Sequence, residues 1–434
     1  MRNQKPIQIA LVGAALLSSA AGAQQGRSGE ADIEAVRDYI EKNLAYSPAA
    51  RAEALGRVAR LNALVASPAR FELEVAHIAA LADNGHSVLL PPQWTSRYPR
   101  SPVHLGLFAD RLFVIAAPAG QAELIGRPVL EINGRGWQNV RDTWSRYQGG
   151  EQAFRDQFVT YFMETPALLA AAGLGENPGS LSLTLGEDDG RQAVVEITPV
   201  LAPLEGEAAL LGYPQLLEAS SMLPPAGRPL YLQDPDRPLR LLFPEEVDGA
   251  YIQLKATSGR DFATFLESTL AELRRRQPRN IIVDLRFNLG GDLTLARAFM
   301  QALPGLANGG RLYAITSGRT FSAAISSLGY LRQAAGDRLT IVGEPIGDRL
   351  EFWAEGGIMR LPGLGAMLLY ATERHNYMTG CPEPDCHANI RDHPIRVATL
   401  EPDIPAPLTF ADFRAGRDPA MEAIVRRIGR TAER

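Results

Sequence analysis

The chain has 434 residues, 46% of them hydrophobic and 21% charged, with a formal charge of −5 at neutral pH. That length exceeds what one core comfortably holds and suggests two to four domains, while the composition excludes a disordered or membrane-embedded polypeptide. Apart from the short run Arg274-Arg275-Arg276, Lys and Arg are dispersed and do not offset the mild acidity, so there is no electrostatic footprint for nucleic acid or for an anionic membrane surface.

In chain order, residues 1–23 come first. Arg2 and Lys5 precede an apolar run from Ile7 to Leu17 and the small-residue end Ala21-Gly22-Ala23. This pattern predicts a secretory signal peptide, its apolar run too short to span a bilayer. The expected mature chain starts near Gln24 without a membrane span and is periplasmic or secreted. Loss of Arg2 and Lys5, with no acid in that stretch, takes the charge from −5 to −7.

Residues 24–97 carry apolar and charged residues at helical spacing, as in VRDYIEKNL and LGRVARLNALV, which predicts a small helical domain. From 98 to 137, short β-branched runs alternate with Gly, Asn and Asp turns, predicting a small β-rich module. Its end, Ile125 to Gly134, resembles the closing half of a PDZ module, without a recognisable carboxylate-binding loop. Residues 138–245 return to helical spacing, then read as a hairpin in SLSLTLGEDDGRQAVVEITPV and as a connecting arm rich in Pro, Leu and Gly.

From residue 246 to 434 the grammar changes to alternating strand and helix: AYIQLKA, FATFLESTLAELRRR, NIIVDL, LTLARAFMQAL, RLYAITS, SAAISSLGYLRQA, LTIVGE. Such alternation builds right-handed crossovers around a parallel sheet, and unbroken apolar strands fit a sheet covered on both faces. Ligands of such sheets bind beyond the carboxyl ends of the strands. Two loops are expected at that edge, RFNLGGD after Leu285 and GRTFS after Ser317.

Ser322 closes the second loop where a helix begins. Free amides and the positive end of the helix dipole there favour a developing alkoxide or oxyanion. Taken alone, however, a serine at that place is the standard helix cap. In the first loop, Gly290-Gly291 after Asn288 can present unencumbered amides as an oxyanion hole, or can be an ordinary turn. Of six histidines, His86 lies in the turn Asp83-Asn84-Gly85-His86-Ser87, where an exposed imidazole with near-neutral pKa suits general-base work. Cys381 and Cys386 are the only cysteines; in an oxidising compartment they predict a local disulfide, with metal binding beside His387 and His393 as the rival.

Together these motifs resemble, over roughly residues 60 to 425, the S41 peptidases, the family of tail-specific and tricorn-core proteases. VDLRFNLGGDL is similar to that family's oxyanion strand, RTFSAAISS to its nucleophile motif, IVGEPIG to the following strand and turn, and ADNGHS to the turn bearing the base in the tricorn-like branch. EPDIPAPLTFADFRAGRDPAMEAI resembles the terminal segment, with Asp418 and Pro419 opening a last helix.

The resemblance implies a multidomain α/β protein with a crotonase-like core, acting as an exported serine endopeptidase without a cofactor or metal on peptide or unfolded-protein substrates. Ser322 matches the nucleophile, His86 the base, and Gly291 with the Ala323 amide the oxyanion hole, supported by Gly290, Arg286 and Asn288. No lysine follows the GEP turn, which reads Gly347-Asp348-Arg349, so the Ser-Lys branch is excluded. Three acids compete to complete the site: Glu373, placed first, then Glu383 and Asp392. Two other functions fit the same fold: a catalytically inactive peptide-binding protein, and a crotonase-like acyl-ester enzyme, which export disfavours because coenzyme A esters are intracellular.

Overall fold

A computed structural model describes residues 25–432 other than 110, 188, 206–207, 209–211, 213–214, 220–222 and 224–226. The leader expected at 1–23 lies outside the described residues, as does part of the connecting arm. Among the described residues no helix is long and apolar enough to cross a membrane.

The second half is built on a six-stranded sheet in the order Ile404–Pro405, Leu339–Gly343, Leu312–Thr316, Asn280–Asp284, Gly249–Leu254, Leu239–Leu242. The first five strands are parallel and the last pairs antiparallel. The sheet therefore begins upstream of residue 246, because Asp248, at φ 43°, turns the chain back and lays Leu239–Leu242 against Gly249–Leu254.

Strand periodicity sends alternate residues to opposite faces. Ile281 and Val283 pack with Phe262 and Leu266 of the helix Phe262–Arg276 and with Ile325 and Leu328 of the helix Ala323–Ala335. Ile282, Tyr313 and Ile315 pack on the opposite face with Ala420 and Ile424 of the helix Pro419–Ala432. Covering on both faces is why these strands read as unbroken apolar runs.

The expected N-terminal helices are Gln25–Lys42, Pro48–Leu64 and Pro68–Ala80; Ser47 caps the second by accepting from the Ala50 amide, with Pro48 at its first position. The predicted hairpin pairs Leu181–Gly186 with Gln192–Ile197 and also pairs with Val129–Ile132, which joins the end of the expected 98–137 module to the following region in one four-stranded sheet. A single cluster of buried side chains runs from Ile33 through Trp94, Val129 and Trp144 to Ile197.

One crossing matters for the site. After the turn at 83–87, Val88–Leu89 pairs antiparallel with Ala366–Tyr370, whose other neighbour is Gly357–Leu361. The Leu44 amide also donates to the Ala371 carbonyl. The N-terminal turn bearing His86 is thereby fastened to the C-terminal half.

Candidate active site

Ser322 precedes the helix Ala323–Ala335 with φ 54° and ψ −124°, and its side chain makes no capping bond. The cap reading thus gives way to one in which a non-glycine residue holds a left-handed backbone that costs about 1–3 kcal/mol. The surroundings over-determine it. The Phe321 amide donates to the Asn288 carbonyl at 3.0 Å, the Gly347 amide to the Thr320 carbonyl at 3.0 Å, Thr320 Oγ1 to the Leu285 carbonyl at 3.0 Å, and Ser317 Oγ to the Arg286 carbonyl at 2.6 Å. The two loops at the carboxyl edge of the sheet are laced into one unit.

Gly290, at φ 109°, lies directly against Ser322. A Cβ added to it would come within 2.7 Å of the Ser322 Cβ and 3.0 Å of the Ala323 nitrogen. Its own amide is spent on Asn288 Oδ1 at 2.9 Å, whereas the amides of Gly291 and Ala323 donate to no group among the described residues. Two unspent donors beside a strained serine are what an oxyanion hole requires. Asn288 shapes the loop from its other end, its Nδ2 donating to Thr257 Oγ1 at 3.1 Å.

Arg286 is a buried strut beneath this unit. It forks onto Asp418 at 3.1 and 2.9 Å, reaches Asp284 at 3.0 Å and stacks over Tyr231 at 4.2 Å. The two carboxylates outweigh its burial and hold its pKa well above the usual value. Asp418 also caps the last helix, accepting from the Ala420 amide at 3.1 Å and the Met421 amide at 3.2 Å.

His86 arrives from the other half of the molecule. The turn Asp83–Ser87 is fixed by Asn84, which exchanges hydrogen bonds with the Trp353 peptide at 3.0 and 3.2 Å. Gly149 and Gly150 press on it so closely that a Cβ at either would lie 2.9 Å from a backbone nitrogen of Asn84 or Gly85. The expectation of an exposed loop histidine is corrected here. The ring is sandwiched between Phe321 at 4.3 Å and Phe352 at 5.3 Å, neither ring nitrogen has a hydrogen-bond partner, and burial drives the pKa down to about 3. No hydrogen bond joins it to Ser322. The sandwich belongs to a column of six near-parallel rings: Phe154, Phe321, His86, Phe352, His375 and His387, with successive centroids 4.1 to 5.5 Å apart.

The acids settle differently from the sequence reading. Glu373 faces His387 Nε2 at 3.8 Å, Glu383 pairs with Arg374 at 3.3 Å, and Asp392 ends an exposed turn of helix. None of the three pairs with His86. Asp348 does: its buried Oδ2 lies 3.7 Å from His86 Nδ1. Sequence reasoning noted Asp348 only as occupying a place without lysine. The available signal was its setting, an acid flanked by the apolar Ile346 and Leu350 in a turn that otherwise has no need of charge.

Cys381 and Cys386 form a disulfide, S–S 2.08 Å, which consumes the thiols a metal would need. A cleft of about 410 Å³ also opens at the carboxyl edge, lined by Ser317, Gly318, Arg319, Gly343, Glu344 and Tyr231. It borders the Ser317–Arg319 stretch ahead of Ser322, and its lining includes neither Ser322 nor His86.

No protein-family model matches the chain, and no curated protein does. Solved structures share its fold. Mature CPAF complexed with lactacystin matches at 12% identity with a TM-score of 0.56, covering 95% of this chain and 99% of that one. Mature CPAF alone matches at 14% identity with a TM-score of 0.53, covering 94% and 97%. The photosystem II D1 C-terminal processing protease follows at 12% identity over 93% and 97%, with a TM-score of 0.41 that carries no weight by itself. These structural neighbours are S41 peptidases, and the architecture common to them and this chain is a mixed α/β multidomain fold containing a parallel sheet.

Proposed function

We propose that the protein is an exported serine peptidase of S41 type, acting by acyl transfer on peptide or unfolded-protein substrates. The observation that carries this reading is Ser322 itself, held at positive φ against Gly290 with the unspent amides of Gly291 and Ala323 beside it. In the proposed reaction the Ser322 oxygen attacks the scissile carbonyl carbon as its proton passes to a nitrogen of His86. The oxyanion is held by the Gly291 and Ala323 amides. The C–N bond then breaks, the leaving amine takes the proton back from the imidazolium, and water, activated by the same imidazole, releases the acyl group. His86 and Ser322 are not hydrogen-bonded here, so the reaction requires the two side chains to approach when substrate binds; catalytic hydrogen bonds often tighten only in the complex. The Cys381–Cys386 bond and the leader-like N-terminus support export.

A fluorophosphonate or lactacystin itself, the compound held by the CPAF structure, should modify Ser322, found by peptide mass. Ser322→Ala should lose both modification and cleavage of unfolded casein. Wild-type cleavage by the Ser322→Ala protein would refute the reading. The second reading, a non-catalytic peptide-binding protein, is favoured by the unbonded state of His86. Peptide binding without any modification of Ser322 would select it.

A further inference from the structure

We infer that Asp348 is the positioning residue that selects the productive tautomer of His86, in place of any of the later acids. The inference rests on the acyl-transfer reading above. Its ground is geometric. His86 Nδ1 and Asp348 Oδ2 are both buried, both lack a hydrogen-bond partner, and lie 3.7 Å apart, so a displacement of less than 1 Å closes a hydrogen bond between them. The other oxygen of Asp348 is already fixed, accepting from the Arg349 amide at 2.9 Å, which leaves Oδ2 as the free end. A buried polar atom without a partner is costly, and a sub-ångström approach would satisfy both of these atoms at once.

The other groups around the pair are ion-paired, aromatic or farther along the ring column. Arg349 pairs with Asp83 at 2.9 Å and Glu151 at 2.5 Å on the outer side of the turn. Phe321 and Phe352 cover the two faces of the imidazole. His375, next along the column beyond Phe352, bonds through Nδ1 to Tyr377 Oη at 2.9 Å, which continues to Ser326 Oγ at 2.6 Å, while its Nε2 has no hydrogen-bond partner and lies 3.7 Å from Glu355, a carboxyl that burial, Glu373 and Asp292 push up to about 7. Asp348 is therefore the carboxylate within reach of His86 among the described residues.

The chemistry that follows depends on the proton. An ionised Asp348 accepts from Nδ1–H, leaving Nε2 with a lone pair that can take the Ser322 proton. A protonated Asp348 donates to Nδ1 instead, which puts the imidazole hydrogen on Nε2 and blocks it as a base. Burial, and to a lesser degree the acids Glu151 and Asp83, push the Asp348 pKa up to about 7 against the opposing Arg349 amide and charge. His86, held down at about 3, stays neutral throughout. Activity should accordingly rise as pH increases through about 7, a limb that His86 cannot produce and that Asp348→Asn abolishes only where Asp348, rather than Glu355 beside His375, is its source.

The test compares wild type with Asp348→Asn, Asp348→Glu and Glu373→Gln, the last removing the acid that the sequence pattern placed first. Casein cleavage is followed from pH 5 to 9, and histidine ¹⁵N spectra report the His86 tautomer. Asp348→Asn is expected to lose roughly 10²–10⁴-fold in kcat with KM little changed and to lose the acid limb, as when a triad carboxylate is replaced by an amide that fixes the wrong tautomer. Asp348→Glu should recover part of the rate, and Glu373→Gln should stay within about threefold of wild type. Wild-type kcat and an intact acid limb in Asp348→Asn would overturn the inference while leaving Ser322 as nucleophile. If wild type shows no cleavage that depends on Ser322, the spectra decide alone: an Nδ1–H to Nε2–H change on lowering pH through 7, absent in Asp348→Asn, supports the pair, and identical spectra overturn it.

Discussion

The Ser322 half and the His86 half of the candidate site are held by different physics. Ser322, the Gly290-Gly291 turn and Arg286 sit in a lattice of backbone hydrogen bonds and buried ion pairs at one edge of one sheet. His86 is held by flat ring contacts, and its own nitrogens are unbonded. Hydrogen bonds fix position to a fraction of an ångström, whereas stacked rings tolerate sliding, since an offset of stacked faces costs little. The Ser322 side is thus held by directional bonds, whereas on the His86 side only the turn is so held and the imidazole itself is not.

The largest effect expected from breaking this contrast comes at Arg286. Arg286→Met would leave the Asp284 and Asp418 carboxylates buried without their cation, and removing one partner of a buried ion pair costs about 3–5 kcal/mol. Urea unfolding should register that loss. Yet Ser317 is tied to the Arg286 carbonyl rather than to its guanidinium. Where the variant remains folded, fluorophosphonate should still modify Ser322 within about tenfold of the wild-type rate. A rate collapse without loss of stability would mean that the guanidinium, and not the backbone lattice, organises the nucleophile.

The same contrast explains what was legible in the sequence. Ser322, Gly290 and Gly291 lie on consecutive strand–loop–helix units whose order follows from alternation alone, so chain order gave their proximity. The parallel sheet and the 181–197 hairpin were likewise written in local periodicity. His86 was legible as a residue type in a turn but not as a buried one, because the groups packed on that turn and ring come from residues 149–154, 321 and 352, far apart in the chain. Asp348 was hidden for the same reason: its meaning is a distance to a residue more than 250 positions earlier. The antiparallel strand Leu239–Leu242 escaped because a short run in a Pro- and Leu-rich arm has no periodicity of its own, and pairing with its neighbour supplies the strand.

A smaller effect on stability, with a sharper one on turnover, is expected at Gly290. Alanine there must adopt φ near 109° and push its Cβ against Ser322 Cβ and the Ala323 nitrogen. The strain amounts to about 1–3 kcal/mol, and displacement of one oxyanion donor lowers kcat roughly 10²–10³-fold. Steady-state kinetics with the folded variant check this, KM moving less than kcat. Equal losses in kcat and in the Ser322 modification rate would place the damage in the nucleophile's position; loss of kcat alone would place it in the oxyanion hole.

The smallest expected effect probes the ring side. Phe352 lies 5.3 Å from His86 and 4.9 Å from His375, with its edge toward Tyr377 at 5.6 Å. Phe352→Leu keeps the surroundings apolar but removes the flat surface on which the imidazole rests, at a stability cost of about 1 kcal/mol. Because the lowered pKa of His86 arises from burial and leucine still buries it, the ring should stay neutral. Turnover should fall by less than about tenfold, with the position of the acid limb unchanged across pH 5 to 9. An acid limb displaced by a full pH unit would show that Phe352 governs the proton balance between His86 and Asp348. The base half would then be tuned as tightly as the oxyanion half, by exclusion of water instead of by hydrogen bonds.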